Sequence, residues 1–420
     1  MTDETPDSPE KPELKDARQN PWYVLMTVAG EQPADASWFH YDEYLHAQNR
    51  RYFNGWMAQS LSEAEKQNLI EAKCATAADL AELEDHEVAA IEKAFTDRCP
   101  QAEPITSMQP HCDLTNSKIT RGLICRGFVF SGDAHFSHTT FLRGAFFQGT
   151  TFSGIADFQA ATFSGLVFFQ GTIFSHFVFF QGATFSNVAD FSDAKFKSQT
   201  LFSPFRRPDK ADKPVCFEHE PPRFFNAELH EDTSFTKVRW PPMPCDDATK
   251  ERENRASRHR RSYERLKLLM DEKKNVADEH LFHRRELMCK EVEEEGTPTA
   301  YASRAFGWLC DYGWDPVRPG QLLLGLVTFG WATIFCAEWF DYNLGTWGEH
   351  QTSEYLGFWQ SGALSVSNVF GFLGLSRTFL ADEIKTLTTV SEVVSASQTV
   401  FGLVLFFLLG LALRNRFRLK

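Results

Sequence analysis

Residues 151–196 read TFSGIADFQAATFSGLVFFQGTIFSHFVFFQGATFSNVADFSDAKF, and phenylalanine returns in this stretch after every five or six residues. Counting in both directions extends the pattern from Leu114 to Phe202, with spacings that alternate between five and six, so that the full period is eleven. We predict that the repeated aromatic side chains form a core. They are Phe130, Phe136, Phe141, Phe147, Phe152, Phe158, Phe163, Phe169, Phe174, Phe180, Phe185, Phe191, Phe196 and Phe202.

An eleven-residue period is also typical of right-handed coiled coils. On a helix, however, steps of five and six residues turn the side chain by about 500° and 600°, so successive Phe residues would lie on different faces. The Gly, Ser and Thr between them also disfavour a helix. A small or β-branched residue stands two positions before most of the Phe residues, and in a strand both would point to the same side. The pattern therefore predicts short extended segments joined by tight turns.

In these features residues 114–202 resemble the pentapeptide-repeat family, in the variant whose units are centred on Phe and alternate five residues with six. The resemblance implies a right-handed quadrilateral β-helix with four sides per turn. The same frame resumes downstream, at Phe224, Leu229, Phe235 and Trp240. We therefore predict a solenoid of roughly five turns over residues 111–241, with a loop ejected at 205–223 and capping structure at both open ends.

The rest of the 420-residue chain divides by composition. Residues 1–19 are polar and acidic, which predicts a disordered tail and excludes a secretory signal. Residues 20–110 predict a helical domain, and residues 246–296 predict two charged helices that could cap and link the solenoid. The nine cysteines are scattered without a CxxC pair, so a reducing compartment is expected rather than a disulfide framework.

Residues 318–420 predict a membrane hairpin. Residues 320–340 contain one charged side chain, that of Glu338, and residues 393–413 contain none, so each run has the ~20 residues that a spanning helix needs. Basic residues precede the first run and follow the second, which favours cytosolic N- and C-termini. The prediction is a mixed membrane protein, a solenoid flanked by helices, located as a multi-pass protein in the inner (cytoplasmic) membrane.

Residues 355–376 lie between the two runs, are uncharged, and mix apolar residues with Ser, Asn, Gln and Gly. An even number of crossings fits the charges, so we predict a re-entrant segment rather than a third span. Helix, re-entrant segment and helix is the layout of two-helix pore-loop ion channels, which this region resembles in layout. The potassium-selective TVGYG motif is absent. The resemblance places the pore lining at Ser365, Ser367, Asn368, Gly371 and Gly374.

Two functions remain open from the sequence. One is an oligomeric ion-channel-like pore, most simply a tetramer, whose cytosolic solenoid senses an unidentified protein or ligand. The other is a membrane-tethered interaction scaffold, in which the hairpin is only an anchor with an amphipathic segment at the interface. Both give the protein the lipid bilayer as a partner.

Several other functions find no support in the residues. His280 and His283 could be written as metal ligands on a helix, but no further ligand set accompanies them, so no metal is expected. No phosphate loop, dinucleotide fingerprint or nucleophile elbow is present, which predicts neither a cofactor nor an enzyme. The outward positions of the repeat lack the dense acidic charge that mimicry of DNA would need, and no nucleic acid is expected as a partner.

Overall fold

The computed structural model describes residues 14–37, 39–102, 105, 110–208, 210–243, 250–344, 356–371 and 387–417. The chain divides into two compact units, Met1–Cys289 and Lys290–Lys420. The first contains the solenoid with the helices at its two ends. The second contains the apolar helices.

The solenoid is built from two- and three-residue strands. The strands are β1 Lys15–Asp16, β2 Cys112–Asp113, β3 Ser117–Ile119, β4 Leu123–Ile124, β5 Val129–Phe130, β6 Ala134–His135, β7 Thr140–Phe141, β8 Ala145–Phe146, β9 Thr151–Phe152, β10 Ala156–Asp157, β11 Thr162–Phe163, β12 Val167–Phe168, β13 Ile173–Phe174, β14 Val178–Phe179, β15 Thr184–Phe185, β16 Ala189–Asp190, β17 Lys195–Phe196, β18 Thr200–Leu201 and β19 Cys216–Phe217.

These strands form four parallel sheets, one for each side of the coil. Their orders are β1-β3-β7-β11-β15-β19, β18-β14-β10-β6-β2, β16-β12-β8-β4 and β17-β13-β9-β5. Ala156, for example, pairs with Ala134 on one side and Val178 on the other, so one turn is 22 residues. The regular strands complete about four turns where about five were predicted, and isolated parallel bridges at Arg223, Glu228, Ser234 and Arg239 continue the coil.

The solenoid core is a set of aromatic columns. All fourteen repeated Phe side chains are at most 3% exposed. Each ring stacks on the ring one turn away, as Phe147 does on Phe169 at 5.1 Å and Phe169 on Phe191 at 5.1 Å. The small residues two positions earlier are also inside, and buried Thr hydroxyls among them donate to main-chain carbonyls, such as Thr150 to Cys125 at 2.6 Å. The column therefore buries apolar surface and leaves these hydroxyls satisfied.

At every second corner of the coil one residue adopts the left-handed backbone conformation, with positive φ. Two kinds of corner therefore alternate along the chain, as the spacings of five and six do. Gly127, Gly149, Gly171 and Gly182 adopt this conformation with φ between +63° and +67°. Other corners of the series carry residues with a Cβ, at Asn116, His138, Ala160 and Asp193, with φ between +54° and +58°. The left-handed positions recur every eleven residues because only one corner in each pair makes this turn.

The predicted loop at 205–223 is wrong in its second half. Phe205 and Lys213 form an antiparallel bridge that closes a short excursion, and the chain then returns to the coil as β19. The buried ring of Phe217 stacks on Phe185 at 4.9 Å and lies 5.6 Å from Trp240. The coil regains its frame here because Phe217 continues the column that Phe185 would otherwise leave open.

Helices precede the solenoid and cover its first turn. Their bounds are α1 Pro21–Met26, α2 Glu43–Ala58, α3 Glu63–Glu71 and α4 Asp85–Arg98, after a short 3-10 helix at Ala17–Gln19. Phe53 of α2 stacks on Phe128 at 4.6 Å. The buried amide of Asn54 donates to the Gly127 carbonyl at 3.0 Å and accepts from the Val129 N–H at 2.8 Å. Helix α2 thus satisfies backbone groups that the open end would leave unpaired.

The predicted tail, residues 1–19, extends too far toward its C-terminal end. Lys15 and Asp16 pair with β3, and Ala17 is buried in the core. Backbone pairing with an exposed sheet edge needs no particular side chain, so the polar composition of this segment did not reveal the strand. Residues 1–13 lie outside the described part of the chain.

Two further helices, α5 Lys250–Glu272 and α6 Val276–Glu293, cover the last turn. Phe282 packs edge-on against Trp240 at 4.9 Å, and Tyr263 lies 6.2 Å from the same ring. Lys273 donates to the Leu229 carbonyl at 2.6 Å, and Arg285 donates to the Pro241 carbonyl at 3.2 Å. Basic side chains of the helices therefore satisfy main-chain carbonyls of the final coil.

The second unit contains helices α7 Pro298–Cys310, α8 Val317–Leu344, α9 Phe358–Val369 and α10 Thr389–Phe417. Helix α9 packs against both α8 and α10, and these two long helices also pack against each other. Residues 345–355 and 372–386, which precede and follow this part of the chain, lie outside the described part. The described helices nevertheless define one three-helix packing.

Candidate membrane-embedded site

Two helices of the second unit are long and apolar enough to cross a bilayer. They are Val317–Tyr342, with a mean hydropathy of 1.6, and Thr389–Phe417, with a mean hydropathy of 2.1. Helix α9 between them has 12 residues, about 18 Å at 1.5 Å per residue, whereas a bilayer core is about 30 Å thick. Length alone therefore separates α9 from the two candidate spans.

The polar face of α9 is turned inward. Ser361, Ser365 and Asn368 are buried, whereas Trp359 is 79% exposed and Val366 is 43% exposed. The long helices follow the same rule, since large apolar side chains such as those of Leu324 and Phe407 are exposed. This arrangement reverses the usual distribution in water-soluble proteins and is the one that lipid favours.

A buried amide joins all three helices. Gln398 of α10 donates to the Leu326 carbonyl of α8 at 2.9 Å and to the Ser365 hydroxyl of α9 at 2.7 Å. Its carbonyl oxygen accepts from the Asn368 amide at 3.3 Å, and the Ser365 hydroxyl donates to the Val327 carbonyl at 2.8 Å. We call Ser365, Asn368 and Gln398 the polar cluster. It connects α9 to both candidate spans at once.

Glycines let the helix backbones approach around this cluster. A Cβ on Gly330 would collide with the side chain of Gln398, and a Cβ on Gly402 would lie 2.7 Å from the Val369 carbonyl. Small residues at such contacts allow the close packing on which helix association in lipid depends. The amide of Gln398 can reach α8 because Gly330 leaves the space for it.

A second polar contact lies near the other end of α8. Glu338 is 3% exposed and accepts hydrogen bonds from the N–H of Thr388 at 3.1 Å and its hydroxyl at 2.9 Å. The carboxylate thereby binds the backbone just before α10 begins. A cavity of about 310 Å³ lies beside it. The cavity is lined by Thr333, Cys336, Ala337, Phe340, Thr388, Thr389 and Val390.

The structure brings together only part of the predicted pore lining. Ser365 and Asn368 meet in the polar cluster, and Ser367 is buried with no hydrogen-bond partner for its hydroxyl among the described residues. Gly371 follows α9 next to Thr399, to which an added Cβ would approach within 3.0 Å. Gly374 lies outside the described residues. Gln398 was missed, although it is the only amide in the last apolar run and such a residue marks a polar contact in lipid.

One of the two histidines considered as metal ligands, His283, lies beside a carboxylate of its own helix, 3.7 Å from Glu286. In the described part of the chain, His230, Glu231 and Asp232 could share an ion, but they are consecutive in a turn and both carboxylates are exposed. The His230 imidazole also accepts a hydrogen bond from the Asp232 N–H at 3.2 Å. This geometry is that of an ordinary polar turn.

The comparisons with known proteins concern the solenoid. A family model for pentapeptide repeats, described as nine copies, matches residues 126–173. No curated protein and no solved structure matches the chain. The matched residues run from the first turn of the coil to β13 and do not reach the apolar helices. Residues 126–173 therefore carry pentapeptide repeats, and these repeats form the parallel four-sided solenoid.

Proposed function

We propose that the protein is an integral membrane protein whose second unit is one subunit of an oligomeric, channel-like pore and whose solenoid binds a protein or ligand in the cytosol. The observation that carries the proposal is the short helix α9, packed by its polar face between two helices of spanning length. The proposal assigns the protein no catalytic step.

Membrane insertion is supported by the distribution of polar groups. Leu324, Phe329 and Phe407 are each more than 65% exposed, and large apolar side chains exposed in number favour association in water. Gln398 and Ser391 are at most 2% exposed on the same helices. A hydrocarbon environment favours both features. Apolar side chains are stable in contact with lipid tails, and buried polar groups must form hydrogen bonds within the protein because no water is available.

A pore is supported by the position of α9. The helix is too short to cross, and the chain continues from it to α10, so the segment enters and leaves on one side in the proposed arrangement. One hairpin cannot surround a conduction path, so the pore requires several copies, most simply four. The outward face of α9, with Trp359, Ala363 and Val366, would then contact lipid or a neighbouring copy.

An interaction role for the solenoid is supported by its repeats and its self-contained core. The stacked Phe columns are complete without a ligand, so the outer faces are free for recognition. One face carries Phe177, which is 42% exposed and stacks beside Phe179 at 6.2 Å. An exposed aromatic side chain of this kind is typical of surfaces that bind proteins.

Conduction is tested with the purified full-length protein in planar bilayers and in liposomes loaded with an ion-sensitive dye. We expect an oligomer in detergent and a flux of ions or small solutes after reconstitution. A confirmed oligomer that passes no cation or anion would overturn the pore, and so would a monomer with no flux.

Cysteine labelling tests where the proposed conduction path lies. Gly371→Cys follows α9, and Val400→Cys faces outward on α10 with 63% exposure. A charged, membrane-impermeant thiol reagent should modify Gly371→Cys in liposomes and leave Val400→Cys unmodified, as mass spectrometry of the labelled peptides would show. Equal protection of the two positions would place residue 371 away from water and contradict the pore.

The second candidate is a membrane-tethered scaffold without conduction. It is favoured by the polar cluster, in which Ser365, Asn368 and Gln398 satisfy one another inside a single chain. Such a unit is complete without a neighbour. A detergent-solubilised monomer that gives no flux but retains a cytosolic partner through the solenoid would support this function.

A further inference from the structure

Helix α7 presents an aromatic face that no described part of the chain covers. Tyr301 is 62% exposed and Trp308 is 68% exposed, and Arg304 and Ala305 between them are also exposed. Positions 301, 304, 305 and 308 lie on one side of a helix. The opposite side, with Ala300, Gly307 and Cys310, is buried. Tyr and Trp are the residues that concentrate where a membrane meets water.

The turn after α7 fixes this helix to the ends of both candidate spans. Asp311, Tyr312 and Gly313 all have positive φ, which reverses the chain sharply. The Asn415 amide at the end of α10 donates to the Gly313 carbonyl at 3.1 Å, and Arg318 at the start of α8 donates to the Gly307 carbonyl at 3.4 Å. The aromatic face is therefore held where α8 begins and α10 ends.

Exposed arginines lie at this level. Arg414 and Arg416 are exposed on either side of Asn415. Arg304 lies 3.9 Å from Glu291 and 3.6 Å from Glu295 while its side chain stays 45% exposed. Exposed arginines beside the end of a membrane span attract anionic lipid headgroups.

We propose that α7 lies in the headgroup layer of the bilayer, with Tyr301 and Trp308 facing lipid and with Arg414 and Arg416 binding the phosphates of anionic phospholipids. The inference rests on the proposed membrane insertion and adds a surface to it. Its occupant is lipid because the helix is tied to the start of α8 and the end of α10, and both of these helices expose large apolar side chains, as at Leu324 and Phe407.

The test uses the full-length protein in liposomes, with the photo-crosslinking amino acid benzoylphenylalanine at one position at a time. At Trp308 we expect a covalent adduct with phospholipid. At Phe407, which is 69% exposed on α10, an adduct with an acyl chain reports that the span is inserted. At Phe306, whose ring packs 6.2 Å from Tyr312, the crosslink should stay within the chain, which makes this position the matched control on α7.

Vesicles of different lipid composition distinguish specific binding of an anionic headgroup from mere proximity of residue 308 to lipid. The Trp308 adduct should form severalfold more with phosphatidylglycerol than with phosphatidylcholine in mixed vesicles. The Arg414→Gln/Arg416→Gln variant should remove that preference and keep the adduct at Phe407. A preference that survives in this variant would contradict the role of the two arginines.

The outcomes distinguish the two proposals. A lipid adduct at Phe407 together with a crosslink from Trp308 to another polypeptide, or with no Trp308 adduct, overturns the headgroup surface and leaves membrane insertion intact. The absence of lipid adducts at both Trp308 and Phe407 overturns membrane insertion itself.

Discussion

Ala160 occupies a corner of the coil at which Gly127, Gly149, Gly171 and Gly182 occupy the equivalent places. Its φ of +54° brings the Cβ close to the backbone, and a left-handed residue other than glycine is less stable by about 1–2 kcal/mol. Asn116, His138 and Asp193 share the conformation, but Asn, Asp and His adopt it more readily than Ala does. The corner at Ala160 is therefore a position of local backbone strain in the repeat.

We expect Ala160→Gly to stabilise the solenoid by about 0.5–1 kcal/mol, because relief of the left-handed strain exceeds the added entropy of the unfolded chain. The reverse change at an equivalent corner, Gly171→Ala, should destabilise it by a similar or larger amount. Urea unfolding of the full-length protein in detergent measures both. Destabilisation by Ala160→Gly would show that the corner is not strained.

His46 predicts an acid sensitivity. Burial, with the positive charges of Arg50 and Arg126, lowers the pKa of His46 to about 4, whereas an unfolded histidine has a pKa of about 6.5. The unfolded chain therefore binds a proton in this window that the folded chain does not. Stability is lost as the pH falls from about 6.5 to 4, by at most ~3 kcal/mol.

Thermal unfolding of the full-length protein at pH 7.5 and pH 5 measures this effect. We expect the loss at pH 5 to be smaller in His46→Gln, because glutamine does not titrate, and unchanged in the control His86→Gln, since His86 is exposed. The same pH dependence in His46→Gln and in the natural sequence would rule out His46 as its source.

Individual residues also show what the sequence could reveal. The Phe positions could be predicted because each Phe fills the inward position on one side of the coil. The spacing between them therefore equals the number of residues in one side. Phe217 was missed because the excursion that begins at Phe205 interrupts the spacing, although buried Val215 two positions earlier carries the same signature. Lys15 and Asp16 left no signal because their contribution is backbone pairing.

At the scale of elements, short helices and short strands are stable here only through their neighbours. Helix α9 is held by its polar face, and α2, α5 and α6 close the ends of a coil whose strands have two or three residues. The two apolar runs were recognisable from length and composition. The contact of Gln398 with both other helices could not be predicted from the sequence, because it depends on how the three helices are rotated about their axes.

We expect Gln398→Leu to loosen α9 from the two long helices, because it removes three hydrogen bonds and leaves Asn368 without its partner. A buried polar pair in a membrane protein contributes about 0.6 kcal/mol on average and up to ~1.7 kcal/mol. We therefore expect a loss of about 1–2 kcal/mol in the stability of the second unit.

Thermal unfolding in detergent, followed by the reactivity of the buried thiol of Cys310 in the same unit, measures this loss. Ser397→Leu on the exposed side of the same helix is the control and should leave the stability unchanged. Equal effects of the two substitutions would mean that the polar cluster contributes nothing beyond packing.

At the scale of the whole molecule, the two units have separate cores. The aromatic columns and the helices at their ends form one hydrophobic cluster, and the clusters of residues 290–420 share no member with it. Distant and independent sites act additively. Substitutions should therefore affect the unfolding of the unit that contains them.

Calorimetry of the full-length protein tests this expectation with two variants. Phe169→Ala removes a buried ring and should destabilise the first unit by about 3–5 kcal/mol, while Gln398→Leu should shift only the transition of the second. Phe177→Ala, at an exposed ring, is the control for Phe169→Ala and should cost less than about 1 kcal/mol. A single transition that both variants shift together would contradict independent unfolding.

The 22-residue register has a consequence for how the gene can change. An in-frame loss or duplication of 66 nucleotides inside the repeat removes or inserts one whole layer, and every ring still finds a partner of the same kind above and below. The reading frame and the side of each face are both preserved, and the rod becomes shorter or longer by about 4.8 Å, the spacing of paired strands. Insertion or deletion of whole turns can thus change the length of the solenoid in discrete steps while the packing of its core stays the same.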